Sequence, residues 1–287
     1  MNYVIGDIHG CYSDMIRLIE NINIKDSKST IYFLGDFIDR GPQSWETFMW
    51  AINHISDDGK YQAILGNHED MLLSWIRKYI QEGSNEESLK YGFEKELLNH
   101  GYDSPDKLQI VYSFLNNLDL RRDIDIKAKD GRSNMHFIIT HAWAPEALSK
   151  SERESKRKRD IYLWERQCEG NEFSNDIIVH GHTPTIAQEY SNAEFTAEGL
   201  IGYRQNAINL DGGPAFYRSH TSFPCMLCGI CLETLEEFYP MTVQERFNQY
   251  ETEGLISSGE EEYGHYRKSR MLNNNFYREE LLRRILY

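Results

Sequence analysis

Basic charge is scarce in this chain. Its 31 Lys and Arg residues face 45 Asp and Glu, a formal net charge of −14, and a field of that sign repels polyanions such as DNA and RNA. Long apolar runs are missing too: the longest, around Cys225 to Leu232, is too short to span a bilayer. No basic segment precedes the apolar residues that begin at Tyr3, so no secretory leader is expected and the protein reads as cytoplasmic. Cysteine is sparse and odd in number, five in all, which does not suit a disulfide framework. Cys225, Cys228 and Cys231 follow a C-x-x-C-x-x-C spacing, but a tetrahedral zinc site needs four ligands, and Cys11 and Cys168 stand in unrelated contexts. The stretch "PCMLCGICLE" reads better as a buried strand with structural cysteines.

What is present is an ordinary globular composition, 40% hydrophobic and 26% charged over 287 residues, long enough to bury a large core. The first third alternates short β-rich runs with amphipathic helices. "NYVIG" precedes "SDMIRLIENI", with Ser13 a candidate N-cap; "TIYFLG" precedes "SWETFMWAINHI"; "YQAILG" precedes "EDMLLSWIRKYI". Such alternation predicts βαβ units in a layered α/β fold. Residues from about 81 to 130 are rich in charge and helix formers and read as a helical insertion. Strands return with "HFIIT" and "DIIVH", and the basic run "SKSERESKRKRD" between them reads as a solvated helix or loop. Beyond Pro240 the composition turns polar, with one amphipathic piece in which Leu281, Leu282, Ile285 and Leu286 recur four apart.

Five of these strands end in polar residues of one kind: "VIGDIH", "FLGDFIDRG", "AILGNHE", "FIITHA" and "IIVHGHT". Ligands of α/β sheets bind outside the carboxyl ends of the strands, so the five ends can converge. The cluster would contain Asp7, His9, Asp36, Asn67, His141 and His182. Carboxylates, an amide oxygen and imidazoles without thiolate suit borderline divalent ions such as manganese, iron or zinc. Six ligands exceed the needs of one catalytic ion and suit two ions sharing a carboxylate, an arrangement that clamps in-line displacement at phosphorus. Gly6, Gly35, Gly66 and Gly181 are expected to turn the backbone so that short side chains reach the ions.

In order, "GDIHG", "GDFIDRG", "GNHE", "THA" and "HGHT" resemble the motifs of the calcineurin-like metallophosphoesterases, and within them the bacterial and phage branch of the serine/threonine phosphoprotein phosphatases; the resemblance covers roughly residues 2–235. It implies an α/β sandwich of two mixed sheets flanked by helices. It also implies a catalytic domain over 1–239, containing the helical insertion, followed by a helical and polar extension over 240–287. By the same resemblance, Asp7, His9 and Asp36 would hold one ion, and Asp36, Asn67, His141 and His182 the other. His68 would protonate the leaving oxygen with Asp39 orienting it, while Arg40, Arg166 of "YLWERQ" and Asn67 would contact the substrate. His180 would be a packed strand residue, and Trp143 would either shape the pocket or pack. His54, His100, His136, His220 and His265 match no motif and read as structural or exposed.

The implied activity is hydrolysis of phosphomonoesters, on a phosphorylated protein or a small phosphoester, by attack of metal-bound hydroxide on phosphorus. Two rivals share the fold: a bis(5'-nucleosyl)-tetraphosphatase acting on dinucleoside polyphosphates, and a non-catalytic scaffold.

Overall fold

The computed structural model of the protein describes residues 1–82, 92–127, 134–166, 176–187, 199–270 and 275–286. Cys168 lies outside them. The βαβ expectation holds at the start of the chain: β1 (Asn2–Ile5), α1 (Tyr12–Lys25), β2 (Thr30–Phe33), α2 (Ser44–His54), β3 (Tyr61–Ala63) and α3 (Asn67–Glu82) follow in turn. β1 pairs parallel with β2, and β2 with β3. On the other side of β1 stand β9 (Gly229–Cys231) and β10 (Glu237–Phe238), both antiparallel to their neighbours, which completes a mixed sheet ordered β10-β9-β1-β2-β3. A second mixed sheet is built from β4 (Arg121–Lys127), β5 (Asn134–Thr140), β6 (Ile177–His180), β7 (Gly202–Arg204) and β8 (Ala207–Asn209), in the order β4-β5-β6-β8-β7.

The period of two along β1 decides the layering. Tyr3 and Ile5 pack with Met15, Leu18, Ile19 and Ile22 of α1 in the helix-covered core, whereas Val4 joins Phe137, Ile139, Val179, Ile208 and Ile230 from both sheets. The second cluster is the seam between the sheets, and α1 to α3 cover the outer face of the first. This is the two-sheet sandwich expected.

Three local expectations are corrected. Helix α1 is capped at Cys11 without a side-chain bond, because Ser13 directs its hydroxyl to Gln43 Oε1 at 3.0 Å instead. The stretch 81–130 holds α4 (Gly92–Asn99) and α5 (Pro105–Asn116) but ends in strand β4, where Ile124 and Ile126 face the core and Asp123 and Asp125 face out. The cysteine segment forms strand only at Gly229–Cys231. Its thiols are buried, and each has a different neighbour: Cys225 Sγ the carbonyl of His220, Cys228 Sγ that of Met226, and Cys231 Sγ the Glu233 carboxylate.

The basic run forms α6 (Lys150–Ser155) and α7 (Lys158–Trp164), with Lys150 and Arg157 largely solvated. Beyond Pro240 come α8 (Val243–Thr252), α9 (Gly259–Arg270) and α10 (Asn275–Leu286). A capping box between Thr242 and Glu245 starts α8. Phe247 and Tyr250 of α8 pack on Leu200 and Met226, and Leu281 of α10 is buried in the seam between the sheets. The side chains of Ile285 and Leu286 lie outside the described set. Among the described residues no helix is long and apolar enough to cross a membrane.

Candidate metal centre

The strand ends do converge. Asp7, His9, Asp36, Asn67, His141 and His182 are all buried, and His9, Asp36, Arg40, Asn67, His68, Arg166, His182 and Asp211 line one cavity of about 210 Å³. The expectation about glycines is only half met. Of Gly6, Gly35, Gly66 and Gly181, only Gly35 has a left-handed backbone (φ +88°). Gly181 is needed for close approach, since a Cβ there would lie 2.0 Å from Asp7 Oδ1. Five of the candidate site residues are themselves left-handed: His9 (φ 46°), Asp36 (51°), Asp39 (67°), Arg40 (71°) and His182 (66°). Each such residue carries strain of order 1–3 kcal/mol that surrounding structure must hold.

Glu69 does much of the holding. Its buried carboxylate accepts from the backbone N–H groups of Asp36 (2.7 Å), Phe37 (2.8 Å) and Ile38 (3.3 Å). That fixes the loop after β2 to the first turn of α3. Across the seam, Asp7 Oδ2 accepts from the His182 backbone at 2.9 Å, which ties the end of β1 to the loop after β6.

The side chains are arranged around Asp36. His9 donates from Nδ1 to the Ile38 carbonyl (2.9 Å), leaving Nε2 3.4 Å from Asp36 Oδ2. His141 donates from Nδ1 to the Leu34 carbonyl (2.9 Å), leaving Nε2 2.8 Å from Asn67 Oδ1 and 3.5 Å from Asp36 Oδ1. Tautomers are assigned from these networks. Burial lowers the pKa of His141 and pushes that of His9 down to about 4, so both rings are neutral at pH 7 and each Nε2 presents a lone pair to oxygen lone pairs. His182 sits with Nδ1 2.9 Å from Asn67 Oδ1, and burial followed by the neighbouring His141 pushes it down to about 2.

A divalent cation held among these atoms would relieve the contacts. Asp7 Oδ1 and His182 Nε2 are buried with no hydrogen-bond partner among the described residues. Burial, with the charges of Asp211 and Asp36 behind it, drives Asp7 well above the usual carboxylate range. Burial acts the same way on Asp36, but His141, His68 and His9 outweigh it and hold that carboxyl below the usual range. Ligand atoms of His9, Asp36 and His68 lie within 4.8 Å of one another, as do those of Asp7, Asp36 and His141. Asp36 thus belongs to both groups. The nitrogen and oxygen donor set fits borderline divalent ions.

Around this centre stand the other sequence candidates. His68 opens α3 with its backbone N–H on Asp36 Oδ1 (3.0 Å) and its Nδ1 2.7 Å from Asp39 Oδ2. Burial works against protonation of His68, yet Asp36 and Asp39 raise its pKa above the ordinary value. The Arg40 guanidinium lies 5.1 Å over the Phe216 ring, and Arg166 lines the cavity from the end of α7. His180 and Trp143 pack edge to face at 4.9 Å, both buried. His54 stacks on Trp50, His100 on Trp45, and His136 pairs with Asp123 and Asp125.

Two residues of the centre were missed by sequence reasoning. Glu69 stands inside "GNHE" and was given no role. Asp211 of "NLDGG" is buried, accepts from Gly213 N at 3.0 Å, and is pushed up to about 7 by burial and then by the Asp36 charge. Its signal was a strand end, an acid and then glycine, the reverse of the glycine-then-acid order after β1 and β2.

Comparison with known proteins agrees with this geometry. The model of the calcineurin-like phosphoesterase family matches residues 3–186, more than half of the chain. A symmetrical bis(5'-nucleosyl)-tetraphosphatase of Methylobacillus flagellatus is 30% identical over 144 residues, 50% of this chain and 45% of that protein. One from Xanthomonas oryzae pv. oryzae is 28% identical over 212 residues, 72% of this chain and 55% of that protein. The chain thus spans about half the length of the curated relatives it matches. A solved structure provisionally described as a diadenosine tetraphosphatase superposes with a TM-score of 0.51 at 16% identity, over 83% of this chain and 91% of that one. This last likeness speaks to the fold.

Proposed function

The chain belongs to the calcineurin-like phosphoesterases, and from that premise we propose that it hydrolyses phosphomonoesters whose leaving oxygen must be protonated, on a phosphorylated protein or a small phosphoester. Asp7, His9 and Asp36 would hold one divalent ion, and Asp36, Asn67, His141 and His182 a second, with manganese, iron or zinc all compatible with the donors. Two such ions supply charge neutralisation at phosphorus and a lowered pKa for water. The protein's own residues do the rest. Arg40 and Arg166 reach the cavity with forked donors suited to phosphate oxygens.

One observation carries the reading. His68 Nδ1 lies 2.7 Å from Asp39 Oδ2, so with Nδ1–H donated to Asp39 the ring holds its other proton on Nε2 and can pass it to a departing alkoxide. A serine or threonine alkoxide needs that proton; a departing nucleotide phosphate is a much weaker base and needs it little. A second reading is favoured by the printed names of the relatives, symmetrical bis(5'-nucleosyl)-tetraphosphatases. Competition decides between them: a phosphoserine or phosphothreonine peptide and diadenosine tetraphosphate are offered together at equal concentration to the metal-loaded protein. The peptide is expected to show the higher kcat/KM. Consumption of the dinucleotide at a far higher kcat/KM establishes the second reading instead.

A further inference from the structure

Arg40 is exposed and left-handed (φ 71°), and it lines the cavity from the loop after β2. Among the described residues no acceptor bonds to its guanidinium. The group it meets is the Phe216 ring, whose centroid lies 5.1 Å from Cζ. Phe216 is half-buried, lines the same cavity and ends a 3-10 turn, Pro214–Phe216, that follows β8. That turn is anchored on both sides. Before it, the Gly213 N–H donates to Asp211 Oδ1 at 3.0 Å. After it, Tyr217 stacks on Tyr250 of α8 with ring centroids 6.1 Å apart. The Arg246 guanidinium, paired with Asp14 of α1 at 2.5 Å, lies 5.4 Å over the same Tyr217 ring. The ring that Arg40 meets is therefore carried by a turn fixed to the body of the protein.

We propose that Phe216 is a positioning residue for Arg40: its ring keeps the guanidinium at the cavity with the N–H donors left for a phosphate. The inference rests on the reading of Arg40 as a phosphate contact. Three considerations single out the ring. An arginine side chain is rich in rotamers, and a group that must be ordered at the moment of binding weakens that binding. A carboxylate at position 216 would hold the charge too, but it would take the donors that phosphate oxygens need. An aliphatic side chain would wall the cavity equally well and attract no cation, whereas the face of an aromatic ring attracts one and leaves its N–H groups to other acceptors.

The test uses the full chain loaded with manganese and follows binding of inorganic phosphate by titration calorimetry. The variants are Phe216→Leu, which keeps apolar bulk without the ring, Phe216→Tyr, which keeps the ring, Arg40→Gln, and Arg40→Gln combined with Phe216→Leu. Phe216→Leu is expected to raise the Kd for phosphate about 3- to 5-fold, and Phe216→Tyr less than about 2-fold. Arg40→Gln should raise it about 10-fold or more, and in that background Phe216→Leu should add less than about 2-fold, because the two act as one unit. Manganese content of the same samples should be unchanged. An equal loss from Phe216→Leu with and without Arg40 makes the ring a cavity wall and overturns the inference. So does no loss at all, a Tyr variant as weak as the Leu variant, or a loss that appears only with lost manganese. Arg40→Gln separates the two levels. If it leaves phosphate binding unchanged, the reading of Arg40 fails and this inference with it; if it weakens binding while Phe216→Leu does not, only the inference falls. Inorganic phosphate is not turned over, so the outcome does not depend on which phosphoester the protein hydrolyses.

Discussion

The two sheets contribute to the centre in different ways. Loops of the first sheet carry His9, Asp36, Asp39 and Arg40, four residues with left-handed backbones, and the buried Glu69 carboxylate accepts from the backbone of Asp36, Phe37 and Ile38. The second sheet offers His141, at the end of β5, and His182, two residues beyond β6, each a single donor on a short stem. Chemistry is dense where the backbone is strained and braced. Strain is not confined to the first sheet, since His182 is also left-handed (φ 66°) and is tied by its N–H to Asp7, but His141 simply follows the end of β5. On the proposed roles each task makes its own demand: a metal donor would need one direction, whereas an acid, its orienting partner and a phosphate-binding guanidinium would have to be fixed relative to one another.

The sharpest way to break this comparison is to remove what joins the halves. Asp36 is approached by His9 from one side at 3.4 Å and by His141 from the other at 3.5 Å, with oxygen and nitrogen lone pairs facing each other. Chelation should therefore lower activity by about 10³-fold or more, since divalent ions at such centres contribute several kcal/mol to the transition state. Manganese should restore it. Metal analysis and rates on the same chelated sample are the check, and full activity without bound metal would mean that the two halves do not work through shared ions.

Most of the centre was legible because the strand ends repeat one grammar, apolar run, glycine, acid or histidine. The alternation of strands and helices predicted a layered α/β fold, and the resemblance that those motifs carry implied the sandwich. What was not legible lay where surface position hides the pattern. β4 is an edge strand, and edges carry charge to discourage pairing, so Arg121, Arg122, Asp123 and Asp125 disguised an alternation with Ile124 and Ile126 as a helical stretch. The segment beyond Pro240 read as polar because few of its described residues, Phe247, Tyr250, Tyr266 and Leu281 among them, face inward. Its Thr-x-x-Glu capping box was readable. Ser13 looked like a cap by residue type, yet a hydroxyl follows the nearest good acceptor, and that is Gln43.

A smaller effect sharpens the claim that strain in the first half is braced. Glu69→Gln keeps the shape but replaces a carboxylate that accepts three backbone N–H bonds with an amide that has one acceptor oxygen. A backbone N–H left without its acceptor should cost about 1–3 kcal/mol in urea unfolding. Activity should fall about 10- to 100-fold, the usual size for a group that supports metal ligands. A variant as stable and active as the parent would show that the left-handed loop after β2 holds itself.

The smallest effect belongs to β5 of the second sheet, away from the centre. On β5, His136 places Nδ1 2.9 Å from Asp125 Oδ1 and Nε2 2.9 Å from Asp123 Oδ1. Burial opposes its protonation, but the bond to Asp125 and the charge of Asp123 win and raise its pKa above the ordinary value. A histidine whose folded pKa exceeds its unfolded one stabilises the fold fully below the unfolded pKa, about 6.5, and loses that contribution as pH rises through the folded value. The partners are exposed, 43% and 70%, so the contribution should stay under about 1 kcal/mol and shrink in salt. His136→Gln should therefore unfold more easily than the parent at about pH 5.5 and match it by about pH 8.5, with activity at the centre unaffected. Urea midpoints at the two pH values, at low and high salt, are the measurement. A gap that widens with rising pH would reverse the sign of the linkage, and a loss of activity would tie this face to the chemistry from which it is held separate here.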